Sequence, residues 1–273
     1  MRVALVQQHA GADREENLGR CLEAMGRAAE AGADLVAFAE LARERFFPRR
    51  RSWSGASELA EPIPGPTTER LAERARRHGL VTVFNMYEVD DRGRHFDASP
   101  VLDADGTLLG VTRMVHITDF PGFHEQAYYD PGDRGAPVYE TAVGRVGVAI
   151  CYDRHYPEYM RALGLGGAEL VVIPQAGVVG EWPEGLYEAE VRTAAFQNGY
   201  FAALCNRVGA EGDLTFAGES FVVDPEGQMI ARGEEMEDDL VLADLDLEAC
   251  ARSTARRLFW RDRRPEIVDE LLD

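Results

Sequence analysis

The chain contains no lysine. All 29 of its strongly basic residues are arginine, set against 48 aspartates and glutamates, and the formal net charge is −19. A surface of that sign repels polyanions, so neither nucleic acid nor an anionic membrane is expected as a partner. Cysteine is also scarce. Cys21, Cys151, Cys205 and Cys250 stand far apart with no C-x-x-C pair, which argues against a zinc site and against a disulfide framework. The six histidines form no H-E-x-x-H pattern, so metal catalysis has no support and no cofactor is expected. No run approaches the ~20 apolar residues of a membrane span. Met1–Gln7 passes directly into a short strand without a leader-like apolar segment, and a cytoplasmic location is expected. Linkers rich in Ser, Gly or Pro are missing too, so residues 1–273 read as a single domain.

Strands and helices alternate along the chain. Val3–Gln7, Leu35–Phe38, Val81–Tyr87, Arg145–Ile150, Leu170–Ile173 and Phe201–Leu204 are short apolar strand candidates. Asp13–Ala31 reads as a helix with Leu18, Leu22, Met25 and Ala29 on one face. Further helices are predicted from Thr67 or Thr68 as cap to His78, closed by Gly79, and over Pro157–Leu165 and Leu186–Asn198. This order implies an α/β fold of parallel or mixed sheets covered by helices. An internal echo adds to it. Ser99-Pro100-Val101-Leu102-Asp103-Ala104-Asp105-Gly106 resembles Ser220-Phe221-Val222-Val223-Asp224-Pro225-Glu226-Gly227, and each reads as strand–turn–strand.

The segment Val146–Glu158 carries the clearest chemical signal. An apolar, β-branched run stops at Cys151, and Tyr152-Asp153-Arg154-His155-Tyr156-Pro157 follow before a helix begins. A thiol on such a turn points out of the sheet towards a helix N-terminus, which lowers a thiol pKa and favours the nucleophilic thiolate. By position alone, a small buried side chain at a strand end is an equal reading. Glu40 follows Val36-Ala37-Phe38-Ala39 and so sits at a strand's C-terminal end, where α/β sheets form their sites. Dry surroundings there raise a carboxyl pKa towards neutrality, as a general base requires. Trp182 lies in a loop after Gly177 and Gly180, as a pocket wall or as core.

These segments together resemble the carbon–nitrogen hydrolase, or nitrilase-like, superfamily, most closely in its carbamoylases and β-ureidopropionase-like amidases. The resemblance rests on Ile150-Cys151-Tyr152-Asp153 with Tyr156-Pro157-Glu158, on Phe38-Ala39-Glu40-Leu41, and on Phe120-Pro121-Gly122-Phe123-His124-Glu125. It continues in Tyr129, in Pro131-Gly132-Asp133 and in the tail Arg257–Pro265. It implies a four-layer α-β-β-α sandwich and hydrolysis of a small amide or N-carbamoyl (ureido) substrate through a covalent intermediate on Cys151. It also implies Glu40 as base and Glu125 as a second glutamate that orients substrate. The superfamily's catalytic lysine falls on Met114, which supplies no donor for an oxyanion. The backbone N–H of Tyr152 remains for that purpose. Arg154 is a candidate replacement cation, whereas Arg113 on a strand would face away. By the same resemblance, Arg154 and His155 would receive a substrate carboxylate; a helix-flanking pair of Arg154 with Glu158 is the alternative. His116 suits proton transfer or a structural bond. The tail, residues 250–273, sets arginines among Leu258, Phe259 and Trp260, and a homodimer or larger homo-oligomer is expected. Loss of the lysine favours the alternative of a relative that binds a ligand or partner without turnover, whereas retention of Glu40, Cys151 and Glu125 together favours the enzyme.

Overall fold

The computed structural model describes residues 1–267. Two mixed sheets form, each built on three parallel strands. In the first, Arg2–Gln7, Leu35–Phe38 and Val81–Val83 run parallel in adjacent positions. Asp239–Asp244 pairs antiparallel at one edge, and His95–Leu102 pairs antiparallel at the other, joined in turn to Met86–Val89 and Leu108–Arg113. In the second, Gly144–Val148, Leu170–Gln175 and Phe201–Asn206 run parallel, flanked by Val138–Thr141 and by the hairpin Phe221–Val223 with Met229–Arg232.

The layers follow from the period of the strands. Successive side chains point to opposite faces, so Val3 and Leu5 enter one buried cluster while Ala4 and Val6 enter another. The first cluster also holds Val146, Val148, Leu170, Val172 and Ala203 of the second sheet, so it is the core between the two sheets. Ala4, Val6, Val36 and Phe38 pack against Leu18, Leu22 and Met25 of the helix Arg14–Glu30 and against Leu71 and Ala75 of Pro66–His78. On the far side Val171, Ile173 and Leu204 pack against Met160 and Leu163 of Pro157–Leu165 and Val191 and Ala195 of Leu186–Asn198. The result is the expected α-β-β-α sandwich.

The internal echo occupies equivalent places in the two sheets. Each copy is the hairpin that follows the third parallel strand, and each turn is closed in the same way. Gly106 N–H donates to Asp103 O and Gly227 N–H to Asp224 O, both at 2.9 Å, with the glycines at φ +83° and +78°.

Two local expectations fail. The helix Pro66–His78 is capped at Gly65 rather than by Thr67 or Thr68; Thr68 sits one turn in, and its Oγ1 accepts from Gly65 N–H at 2.7 Å. The strand expected over Val81–Tyr87 breaks into Val81–Val83 and Met86–Val89. The break frees Asn85 from the ladder, and its side chain is recruited into the site.

Candidate active site

Polar residues gather where the parallel strands end. Gln7, Gln175 and Asn206 are the last residues of their strands, Glu40 and Asn85 come two residues after theirs, and Cys151 follows Gly144–Val148 after Ala149 and Ile150. All six are buried. The loops that carry the thiol and the carboxylate both hold a non-glycine residue in the left-handed region, Leu41 at φ +47° and Cys151 at φ +42°. Such backbone is strained by roughly 1–3 kcal/mol and persists only where its surroundings fix it.

Those surroundings are specific. Arg207, fully buried, donates through Nη1 to the carbonyls of Glu40 at 2.7 Å and Leu41 at 2.6 Å, and through Nη2 to Glu44 O at 2.8 Å and to the Glu211 carboxylate. Asn85 Oδ1 accepts from Leu41 N–H at 2.7 Å, and its Nδ2 donates to Asp97 Oδ1. Around the thiol, Arg154 Nη1 donates to Cys151 O at 3.1 Å and Gln175 Oε1 at 2.9 Å, while Gln175 Nε2 donates to the sulfur at 3.3 Å. Asp153 accepts from the backbone N–H groups of Val115 and His116 and contacts His116 Nδ1 at 2.7 Å, which ties the turn after Cys151 to the segment after Met114.

The electrostatics differ from the sequence expectation. Cys151 begins a 3-10 turn, Cys151–His155, that separates it from the helix Pro157–Leu165, so the helix terminus does not govern the thiol. Burial, then Glu40 and Glu125, push its pKa well above the ordinary thiol value, with Arg154 opposing. Cys151 therefore rests as the neutral thiol. Burial first, then the charge of Glu125, lift the Glu40 carboxyl to about 8, against the partial opposition of the Cys151 thiol, Asp97 and Arg207. Asp97 and Glu125 are also raised well above the usual carboxylate range, each mainly by burial.

Of the residues expected from sequence, Cys151, Glu40, Glu125 and Met114 come together in or against one buried region. Glu125 makes no salt bridge among the described residues; neighbouring His124 contacts Asp119 at 2.7 Å and the Tyr128 hydroxyl donates to Arg50 O. Met114 is buried, its N–H bonded to Asp97 O at 2.9 Å. Arg113 turns away to ion-pair with Glu88 at 2.6 Å and Asp133 at 2.9 Å.

The pairing of Arg154 and His155 differs from the Glu158 alternative. Both contact Glu190 of their own chain, Arg154 Nε at 3.4 Å and His155 Nδ1 at 2.8 Å. Arg154 also lies over the Tyr187 ring. Arg154 braces the Cys151 turn, its acidic partner is Glu190 rather than Glu158, and its Nε and Nη2 make no hydrogen bond among the described residues. Trp182 packs against His155 and Phe120 and lines a cavity of about 660 Å³ with Tyr187, Glu188 and Arg232. Asn85, Asp97, Gln175 and Arg207 were missed by the sequence reading. Their signal was available as polar residues at or just beyond the ends of apolar strands, except for Asp97, which lies within a strand.

Comparison with known proteins agrees with this geometry. A family model described as carbon-nitrogen hydrolase matches residues 2–255. The chain is 31% identical to an N-carbamoylputrescine amidase of Solanum lycopersicum, over 99% of this chain and 94% of the relative. A carbon-nitrogen hydrolase from Helicobacter pylori shares the fold at TM-score 0.93 and 28% identity, covering 100% of this chain and 98% of its own. A mutant amidase from Nesterenkonia sp., at TM-score 0.83 and 27% identity with 99% of each chain covered, shows acrylamide added at its active-site cysteine. This chain belongs to the carbon–nitrogen hydrolase family and is a thiol-dependent hydrolase of non-peptide C–N bonds.

Proposed function

We propose that Cys151 is the nucleophile and Glu40 the base in hydrolysis of a small amide or ureido compound. The observation that carries this reading is the burial of Glu40 beside the Cys151 thiol, whose contact opposes the rise of the Glu40 carboxyl pKa. Ionised Glu40 takes the thiol proton as sulfur bonds to the substrate carbon. It returns that proton to the departing nitrogen, leaving a thioester or carbamoyl-enzyme, and then deprotonates the water that attacks this intermediate. Gln175 steadies the sulfur by its donor bond. Glu125 orients the substrate nitrogen. Tyr152 N–H, at the head of the turn, supplies an oxyanion donor. Met114 stands at the superfamily's lysine position, so the oxyanion receives no ammonium. The similarity to an N-carbamoylputrescine amidase supports a small ureido substrate.

The same reading takes residues 1–273 as one catalytic domain. It places the protein in the cytoplasm, which its four unpaired cysteines suit. It makes the protein a homo-oligomer, supported by the exposed Leu258 and Phe259 near the C-terminus.

A second reading, ligand binding without turnover, is favoured by one observation: the buried, donorless Met114. Ammonia release from a library of small amides, ureas and amidines separates the two. Wild type should turn over at least one member, and Glu40→Gln should lose about 10²–10⁴-fold of that rate. Silence from wild type together with activity gained by Met114→Lys would establish the binding-only reading.

A further inference from the structure

Acyl transfer to a thiol needs hydrogen-bond donors for the oxyanion as well as a base. Few side chains around Cys151 can serve as one. The chain has no lysine, and Met114 adds only an apolar side chain to the buried cluster that holds Cys151. Arg207 is committed to the carbonyls of Glu40, Leu41 and Glu44 and to the Glu211 carboxylate. Arg113 is committed to Glu88 and Asp133, and His116 contacts Asp153. Gln175 turns its amide nitrogen to the sulfur itself.

Arg154 is the exception. It follows the thiol by three residues within the turn Cys151–His155, and it is buried. Nη1 is fixed twice, on Cys151 O at 3.1 Å and on Gln175 Oε1 at 2.9 Å, and the same Gln175 reaches the sulfur at 3.3 Å. A single amide group therefore separates the guanidinium from the nucleophile. Its carbon lies 4.4 Å from the centroid of the Tyr187 ring, and Glu190 Oε2 stands 3.4 Å from Nε. Nη2 is buried and has no hydrogen-bond partner among the described residues. Buried donors left unpaired are rare in folded proteins, and this one belongs to a group that stays charged. Tyr129 and Trp182 also keep a buried donor without a partner, but both are neutral and neither hydrogen-bonds to the Cys151 turn. The charge of Arg154 is felt at the sulfur, where it opposes the rise of the thiol pKa.

We propose that Arg154 is a catalytic residue whose free Nη2 edge donates, together with the Tyr152 N–H, to the oxyanion formed on the substrate carbonyl. This rests on Cys151 and Glu40 acting as described above. The two bonds of Nη1 set the guanidinium in place before substrate arrives, so little reorganisation is left for the reaction. Glu190, on the Nε side, offsets part of the charge but leaves Nη2 its donor.

The steps balance. Glu40 takes the thiol proton as the S–C bond forms, and the carbonyl π pair moves to oxygen. Tyr152 N–H and Arg154 Nη2 hold that oxyanion. When the pair returns, the C–N bond breaks and nitrogen leaves with the proton from Glu40. Water then adds to the thioester or carbamoyl-enzyme, giving its proton to Glu40, and a second oxyanion forms at the same place. Its collapse breaks the S–C bond, and sulfur regains the proton. The guanidinium stays protonated throughout and gives no proton to the leaving amine.

A cycle of Arg154→Gln and Met114→Lys in the full-length protein tests this, with acetamide, methylurea and N-carbamoylglycine as substrates and ammonia release as readout. Denaturant midpoints report whether each variant folds. Arg154→Gln should lower kcat on every substrate turned over by about 10²–10³-fold, the scale of one oxyanion donor, with KM changed far less. Met114→Lys returns a cation to the buried cluster without rebuilding the bonds to Cys151 O and Gln175. It should therefore raise kcat of the Arg154→Gln protein at least about tenfold more than it raises that of wild type. Equal effects in the two backgrounds would show Arg154 to be a brace alone and overturn the proposal. An unchanged kcat in Arg154→Gln would overturn it too, as would a loss confined to the KM of N-carbamoylglycine, the mark of a carboxylate receiver. If Arg154→Gln does not fold, Met114→Lys in the otherwise wild-type chain decides. A gain below about tenfold, or none, agrees with an oxyanion already served, and a larger gain overturns the proposal. Silence of wild type towards these three compounds and the wider library would remove the hydrolase reading, and this proposal with it.

Discussion

Burial holds the Glu40 carboxyl near 8, so at neutral pH only a minority of molecules carry the ionised base. The pH profile of kcat/KM reports the free enzyme, and its acid limb is therefore expected near pH 8 rather than near 4–5. Steady-state rates across pH 5–9 would show this, and a limb at an ordinary carboxylate pKa would contradict the assigned environment. The same shift has a thermodynamic sign. Below about 4.5 the group is protonated in both folded and unfolded chains. Between there and 8 the unfolded chain releases a proton that the folded chain keeps, so stability falls as pH rises through that window. Glu40→Gln removes this contribution. From pH 5 to pH 8 wild type should lose a few kcal/mol relative to the variant. Denaturant midpoints at the two pH values measure the difference; parallel behaviour of the two proteins would refute it.

At the scale of elements, the site is an outcome of where strands stop. Cys151 and Glu40 were legible because an apolar run ends abruptly at each. Met114 was legible through its place in a motif. The acidic partner of Arg154 was misjudged, because nothing in its own segment announces Glu190, 36 positions on, or the Cys151 carbonyl beneath it. Arg207 was missed for a related reason. Its partners are backbone carbonyls of Glu40, Leu41 and Glu44, and backbone acceptors leave no trace in residue type. Asn85 was hidden by a strand that reads as continuous from Val81 to Tyr87, although the ladder is interrupted at Phe84-Asn85. Arg207 also yields a sharp test. Arg207→Met keeps much of the volume but leaves Glu211 and three carbonyls without their donor. Loss of one partner of such a buried pair typically costs 3–5 kcal/mol. Chemical denaturation should register that loss, and the surviving folded protein should show lower kcat because Leu41 is no longer held at positive φ. A variant as stable and as active as wild type would remove Arg207 from the account.

For the molecule as a whole, the alternation of Val3 and Leu5 with Ala4 and Val6 was enough to imply two faces per sheet, and the echo of residues 99–106 in 220–227 implied two similar halves. That the halves pack sheet to sheet, bringing Glu40 of one against Cys151 of the other, was legible only through the family resemblance, since pairing between distant strands is not written in local sequence. Association is the open property at this scale. Leu258 and Phe259 lie exposed on the π-helical turn Ala255–Phe259, while residues 268–273 of the expected contact tail fall outside the described residues. Light scattering at micromolar concentration should give at least a dimer, and Leu258→Asp with Phe259→Asp should weaken it. A monomeric wild-type mass would exclude the tail as an interface.

The central claim is that chemistry passes through a covalent bond to Cys151 alone. Burial pushes the other thiols up, Cys21 to about 12 and Cys250 to about 11, and none of them is grouped with Glu40 and Glu125 as Cys151 is. Rapid quenching of wild-type protein during turnover of acetamide or methylurea, followed by peptide mapping by mass spectrometry, tests this directly. The account predicts an adduct on the peptide containing Cys151, absent from Cys151→Ala. Turnover with no adduct at Cys151, or with the adduct on Cys21, Cys205 or Cys250, would contradict it.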